Sequence, residues 1–131
     1  LGMDVSMHVI KPYANFLNKI GAVRSVDLLK QRSGASVLVA GVKVALQSPP
    51  MRSGKRVIFI TLDDGFGCSD STFFEDTHGE FATTLFRSKL LLVRGIIRRT
   101  GEKGISLNAT GAWDLEVAAN EESGARQLLN Y

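Results

Sequence analysis

With a single cysteine, Cys68, the chain cannot form an internal disulfide or build a cysteine-rich zinc site of its own. Histidine is almost as scarce. His8 and His78 are far apart, no serine occupies a Gly-x-Ser-x-Gly turn, and Cys68 has no base nearby in sequence to activate it. No glycine-rich loop precedes a helix, since Gly65-Phe66-Gly67 leads into a strand-like run. These absences leave no catalytic constellation and imply no cofactor. The longest apolar run, Leu90 to Val93, is of strand length, against about 20 residues for a membrane span. With one cysteine and no run of that length, a cytoplasmic placement is expected, and the first residues show none of the basic start, apolar stretch and small-residue cleavage site of a signal peptide. The opening Leu1-Gly2-Met3 reads as a cut from something longer.

At 131 residues the chain is expected to be one domain. A net charge of +3 is too modest to argue for nucleic acid by itself, but its distribution is uneven. Asp63, Asp64, Asp70, Glu75, Asp76 and Glu80 fall in a stretch without Lys or Arg, whereas Arg87, Lys89, Arg94, Arg98, Arg99 and Lys103 are accompanied only by Glu102.

Residues 3–33 read as helical. Pro12 suits a first helical position, and Tyr13, Phe16, Leu17 and Ile20 follow the spacing of a buried face that Gly21 ends. Ser25 is expected to cap a second short helix carrying Val26, Leu28 and Leu29, with Ser33-Gly34 as its exit. From Ala35 the period becomes that of strands. Ser36–Leu46 is long, with Gly41 placed to bend it; Arg56–Leu62 and roughly Cys68–Phe74 follow, joined by Asp63-Asp64-Gly65-Phe66-Gly67. Phe81, Leu85 and Phe86 lie at helical spacing between Thr77 and Lys89, a helix that would plug a barrel end. Leu90–Arg99, bending at Gly95, and Ile105–Trp113 are the last strands, linked by the turn-rich Thr100–Gly104. Five strands with a helix between the third and fourth predict a mainly β OB-fold, a Greek-key barrel preceded by a helical segment. The expected organisation is a helical appendage over 1–34, the OB domain over 35–115, and a polar tail over 116–131 that is either disordered or a short peripheral helix.

Such a barrel binds ligands across strands two and three, between the loop joining strands one and two and the loop joining strands four and five. Single-stranded nucleic acid needs cations along the phosphates and exposed aromatic faces for the bases. The first loop carries Arg52, Lys55 and Arg56, and the last strands and their loop carry Arg94, Arg98, Arg99 and Lys103. Phe66 in the turn and Phe73 or Phe74 on strand three are the aromatic candidates, with Phe73 assigned to the expected site. Only one of Phe73 and Phe74 can face outward, because neighbours on a strand point to opposite sides. Phe59, Phe81 and Phe86 read as core. For any single cation, simple solvation is the default reading, and the combination in two converging loops is what raises it. Asp63, Asp64 and Asp70 do not match the ligand spacing of a calcium loop and are explained by turn chemistry, so no metal is expected.

The run Val37-Leu38-Val39-Ala40-Gly41, then Gln47 with Pro49, Gly54, and Phe59-Ile60-Thr61-Leu62-Asp63-Asp64 followed by Gly67, resembles the C-terminal OB region of the bacterial C-family DNA polymerase, the DNA polymerase III α subunit, and its error-prone branch most. The similarity continues through Leu92-Val93-Arg94-Gly95 with Arg98-Arg99, and backward to Leu1-Gly2 and Ser6-x-His8, covering about residues 1 to 115. Two departures are Val9 in place of a proline and Gly65 directly after the second turn acid. The family's catalytic aspartates belong to a palm that these residues do not include, so no polymerase activity is transferred to them. The resemblance implies an accessory domain contacting the single-stranded DNA template ahead of the active site, or a neighbouring replisome protein; the binding itself is expected to be non-specific, with little sequence preference. Anticodon-binding domains of tRNA synthetases and stand-alone single-strand-binding OB proteins share the superfamily. A protein-interaction module, docking through a sheet edge or the helix over Gly79–Lys89, is the alternative of a different class.

Overall fold

The computed structural model describes residues 8–49, 56–99 and 104–120. The chain enters through a 3-10 turn at Lys11–Tyr13, helix α1 (Ala14–Ile20) and a second 3-10 turn at Ser25–Lys30. Then follow β1 (Ser36–Gln47), β2 (Ile58–Asp63), β3 (Cys68–Phe73), α2 (Glu75–Arg87), β4 (Leu90–Arg99), β5 (Ile105–Asp114) and α3 (Leu115–Asn120). The strands close in the order β1-β2-β3-β5-β4, with β3 and β5 parallel and the other pairs antiparallel. This is the expected five-strand OB barrel with a helix between β3 and β4.

Two apolar clusters hold it. Inside the barrel, Val37, Val39, Ile58, Ile60, Leu62, Phe73, Leu91, Val93, Ile97 and Leu107 pack with Phe81 and Leu85 of α2, which therefore plugs one end. Outside it, Leu38, Ala40, Val42 and Leu92 meet Ile10, Ile20, Leu115 and Ala118, with Tyr13, Phe16 and Leu17 against them. Strands buried on both faces lose the alternation of a half-exposed sheet, which is why Val37–Val42 and Leu90–Val93 are unbroken apolar runs. The start of the stretch read as a polar tail is α3, anchored by buried Leu115 and Ala118.

Strand β1 serves both halves of the barrel. Ser36 to Val42 pair with β4, and Val42 to Gln47 pair with β2. Gly41 lies next to the handover, where a Cβ would come within 2.9 Å of the Asp63 carbonyl oxygen. Gly41→Val is therefore expected to destabilise the fold by about 1–3 kcal/mol through overpacking against backbone, read as a lower melting temperature. Melting unchanged from the parent would show that the crossing is looser than this. The anticipated bend at Gly95 is a bulge between Arg94 and Gly95, and a further bulge lies between Lys43 and Ala45.

Three details correct the sequence reading. Phe86 is 55% and Phe59 40% exposed rather than core, because Phe86 lies off the buried stripe of α2 and Phe59 points away from the barrel between the inward Ile58 and Ile60. Ser25 does not cap the turn it begins; both its donors are turned to Asp64. At the C-terminal end of α2, the Lys43 ammonium donates to the Leu85 and Phe86 carbonyls at 2.6 and 3.1 Å, a cation where the helix dipole is negative.

Candidate nucleic-acid interface

The register of β2, β3, β5 and β4 sets outward residues in rows across the strands. One row runs Thr61, Asp70, Ser106, Arg98. The next runs Phe59, Thr72, Asn108, Ile96. Between them the inward residues Ile60, Ser71, Leu107 and Ile97 are buried. An open groove of about 750 Å³ lies over this face, lined among others by Phe59, Thr61, Asp70, Phe74, Arg98 and Arg99. Phe59 and Phe74 are 40% and 44% exposed, so two aromatic side chains border a groove whose far side carries arginine.

The aromatic candidate on β3 is corrected. Phe73 is 0% exposed because it pairs with Ile58 on the inward face, and the outward side chain is Phe74. Phe59 was missed as a surface residue, although Thr61 two positions on shares its face and marks that face as polar. Phe66 is exposed but lies apart from the groove, with the Arg24 guanidinium 5.1 Å from its ring centroid. Arg94 also lies elsewhere on the outer face of β4, its Nη1 donating to Ser36 Oγ at 3.1 Å. Arg98 and Arg99 are exposed and reach the groove. Arg99 has a second task, its Nη2 donating to the Leu29 and Gln31 carbonyls at 3.0 Å each, which ties the N-terminal segment to β4. Arg56 is exposed just before β2. Arg52, Lys55 and Lys103 lie outside the described residues.

The acidic turn has a structural explanation. Asp63 Oδ1 accepts the Gly65 N–H at 2.8 Å. Asp64 Oδ1 accepts the Phe66 and Gly67 N–H groups at 2.9 and 3.1 Å and the Ser25 hydroxyl at 2.8 Å, while Oδ2 accepts the Ser25 N–H at 2.7 Å. Asp64 thus folds the β2–β3 turn and fastens it to the N-terminal segment. Cys68 sits exposed at the start of β3, where burial first, then the carboxylates of Asp63, Asp70 and Asp64, push its thiol pKa up. Its alkylation at neutral pH is expected to be slower than that of a free cysteine and to accelerate as pH rises, since only the thiolate reacts. Faster labelling than the free amino acid would contradict this environment.

A closed five-stranded barrel plugged by a helix, with exposed aromatic side chains on its β2–β3 side and arginines at the end of β4 facing one groove, is an OB-fold binding domain. The chain belongs to the family of the OB-fold nucleic acid binding domain, which matches residues 37–121. Its relatives bear out the polymerase resemblance. It is 33% identical to the error-prone DNA polymerase of Symbiobacterium thermophilum over 82% of this chain, and 32% identical to the DNA polymerase III α subunit of Pasteurella multocida over 72%. The chain spans about a tenth of the length of these relatives, 10% and 8%. Among solved structures, asparaginyl-tRNA synthetase from Pyrococcus horikoshii superposes with a TM-score of 0.57 at 19% identity, covering 72% of this chain and 23% of that one. RecG bound to a three-way DNA junction gives 0.55 at 17% identity, covering 79% and 13%. At those identities the likeness is one of fold. Among the described residues, no helix is long and apolar enough to cross a membrane.

Proposed function

We propose that this chain is an accessory OB domain of a polymerase of the DNA polymerase III α type. In this reading it is not itself an enzyme, and it holds single-stranded template DNA during replication or error-prone repair synthesis in the cytoplasm. The observation that carries the reading is the groove itself. Phe59 and Phe74 stand exposed beside Arg98 and Arg99 on the face where this family places its ligands. Bases stack on the aromatic rings, which tolerates any sequence, and the arginines neutralise phosphates. Arg52, Lys55, Arg56 and Lys103 would extend the cationic rim from the two flanking loops. Residues 1–34 would serve as the helical linker on which the barrel is mounted.

Titrating a labelled oligonucleotide at two salt concentrations tests this. With about three phosphates neutralised, log affinity is expected to fall against log salt with a slope near 2, at roughly 0.7 per phosphate for single strands. Absence of binding at low salt would overturn the reading and leave a protein partner as the occupant of the groove.

A further inference from the structure

A carboxylate stands in the middle of this face, where a surface built only to attract phosphates would not place one. Asp70 lies between Thr61 and Ser106 in its row, one strand from Thr61 and two from Arg98. The Thr61 hydroxyl donates to Asp70 Oδ1 at 2.7 Å, which spends the one donor that Thr61 has. Among the described residues no hydrogen bond is made to Asp70 Oδ2. Across the ladder Phe59 pairs with Thr72, so Asp70 is its diagonal neighbour on the same face, at a spacing of roughly 7–8 Å that a planar ring stacked on phenylalanine can bridge.

Building on the proposed binding of single strands, we infer that Asp70 gives the groove a base preference at one nucleotide, favouring a base whose edge offers an amino group. A base stacked on Phe59 turns its edge toward Thr61 and Asp70. Cytosine presents its N4 amino group there, which a carboxylate accepts; thymine presents the O4 carbonyl, which the carboxylate repels. Thr61, positioned by its hydrogen bond, holds Asp70 in that orientation and has no proton left to offer thymine. Stacking and phosphate contacts still supply most of the affinity, so the preference is confined to this position.

The two pyrimidines are matched in size, so the test compares cytosine and thymine homo-oligonucleotides of equal length by fluorescence anisotropy at one low salt concentration, with the parent protein, Asp70→Asn and Asp70→Ala. The parent is expected to bind the cytosine oligomer about tenfold more tightly, in line with one charge-assisted hydrogen bond. Both variants should lose that ratio, chiefly through tighter binding of the thymine oligomer in Asp70→Asn. Asp70 is exposed, so melting curves should show both variants folded. Equal affinities in the parent overturn the inference. So does a uniform rise for both oligomers in the variants, which would mean that Asp70 acts only by repelling phosphate. Failure of the parent to bind either oligomer overturns the nucleic-acid reading along with it, whereas binding without a base difference removes this inference alone.

Discussion

Replacing Asp64 with alanine is expected to lower the melting temperature by roughly 10 °C, corresponding to about 3 kcal/mol for a domain of this size. Asp64 is 9% exposed, and its carboxylate accepts from Ser25 twice, from Phe66 and from Gly67. Its removal leaves donors on both sides of a contact between the N-terminal segment and the β2–β3 turn without their acceptor. A lost bond in water would cost little, but these donors are part-buried, so each one left without its acceptor keeps a share of its desolvation penalty, and four bonds are lost together. Asp64→Asn is expected to fall between the parent and the alanine variant. Its amide oxygen can still accept from the turn, while its NH₂ faces the Ser25 N–H, a donor meeting a donor. Thermal unfolding followed by circular dichroism decides the matter, and a shift of only about 2 °C for alanine would mean the turn holds itself without Asp64.

The second large effect is on binding. Phe59→Ala is expected to weaken single-strand affinity by about 1–3 kcal/mol, roughly 5- to 150-fold, by removing a stacking surface. Its stability should change little, because the ring is 40% exposed and lies outside the barrel cluster. Phe73→Ala should do the reverse. That ring is 0% exposed, and truncation is expected to cost about 3–5 kcal/mol of stability. Oligonucleotide titration paired with thermal melting separates the two. Unaltered affinity in Phe59→Ala would remove the aromatic from the interface. Among the cations, Arg98→Glu should weaken binding without shifting the melting temperature, whereas Arg99→Glu should lower both, since Arg99 also holds the Leu29 and Gln31 carbonyls.

Much of the architecture was legible because it is local. The residue pattern places β4 over Leu90–Arg99, where it lies, and β5 extends one residue beyond the expected Ile105–Trp113. Gly21 ends α1 in the left-handed region, as its place after Ile20 suggested. The misreadings have physical causes. A phenylalanine flanked by isoleucines looks like core, and only the alternation with Thr61 reveals that Phe59 points outward. Along β3 and just past its end the usual order is inverted, with Ser69 and Ser71 buried while Phe74 is exposed, so hydrophobicity alone could not decide between Phe73 and Phe74. Pairing of Ile58 with Phe73 decides it, and pairing is a property of two strands together. Ser25 and Asp64 meet across 39 residues, and Arg99 reaches Leu29 across 70, distances over which the chain carries no local pattern.

The long-range pairings of the barrel carry an expectation about the order in which it assembles. The β2–β3 hairpin closes over a short turn, but the pairing of Ser36 with Ile96 and of Asp70 with Ser106 joins segments far apart in the chain. Contacts of long sequence separation carry a larger loop-closure entropy and form late. The proposed binding face uses β2, β3, β5 and the end of β4, so it is complete only once the long-range pairings have closed. If that face forms after the transition state, as its long-range pairings lead one to expect, a bound single strand should slow unfolding and leave the rate of folding almost unchanged, which stopped-flow refolding with and without oligonucleotide checks.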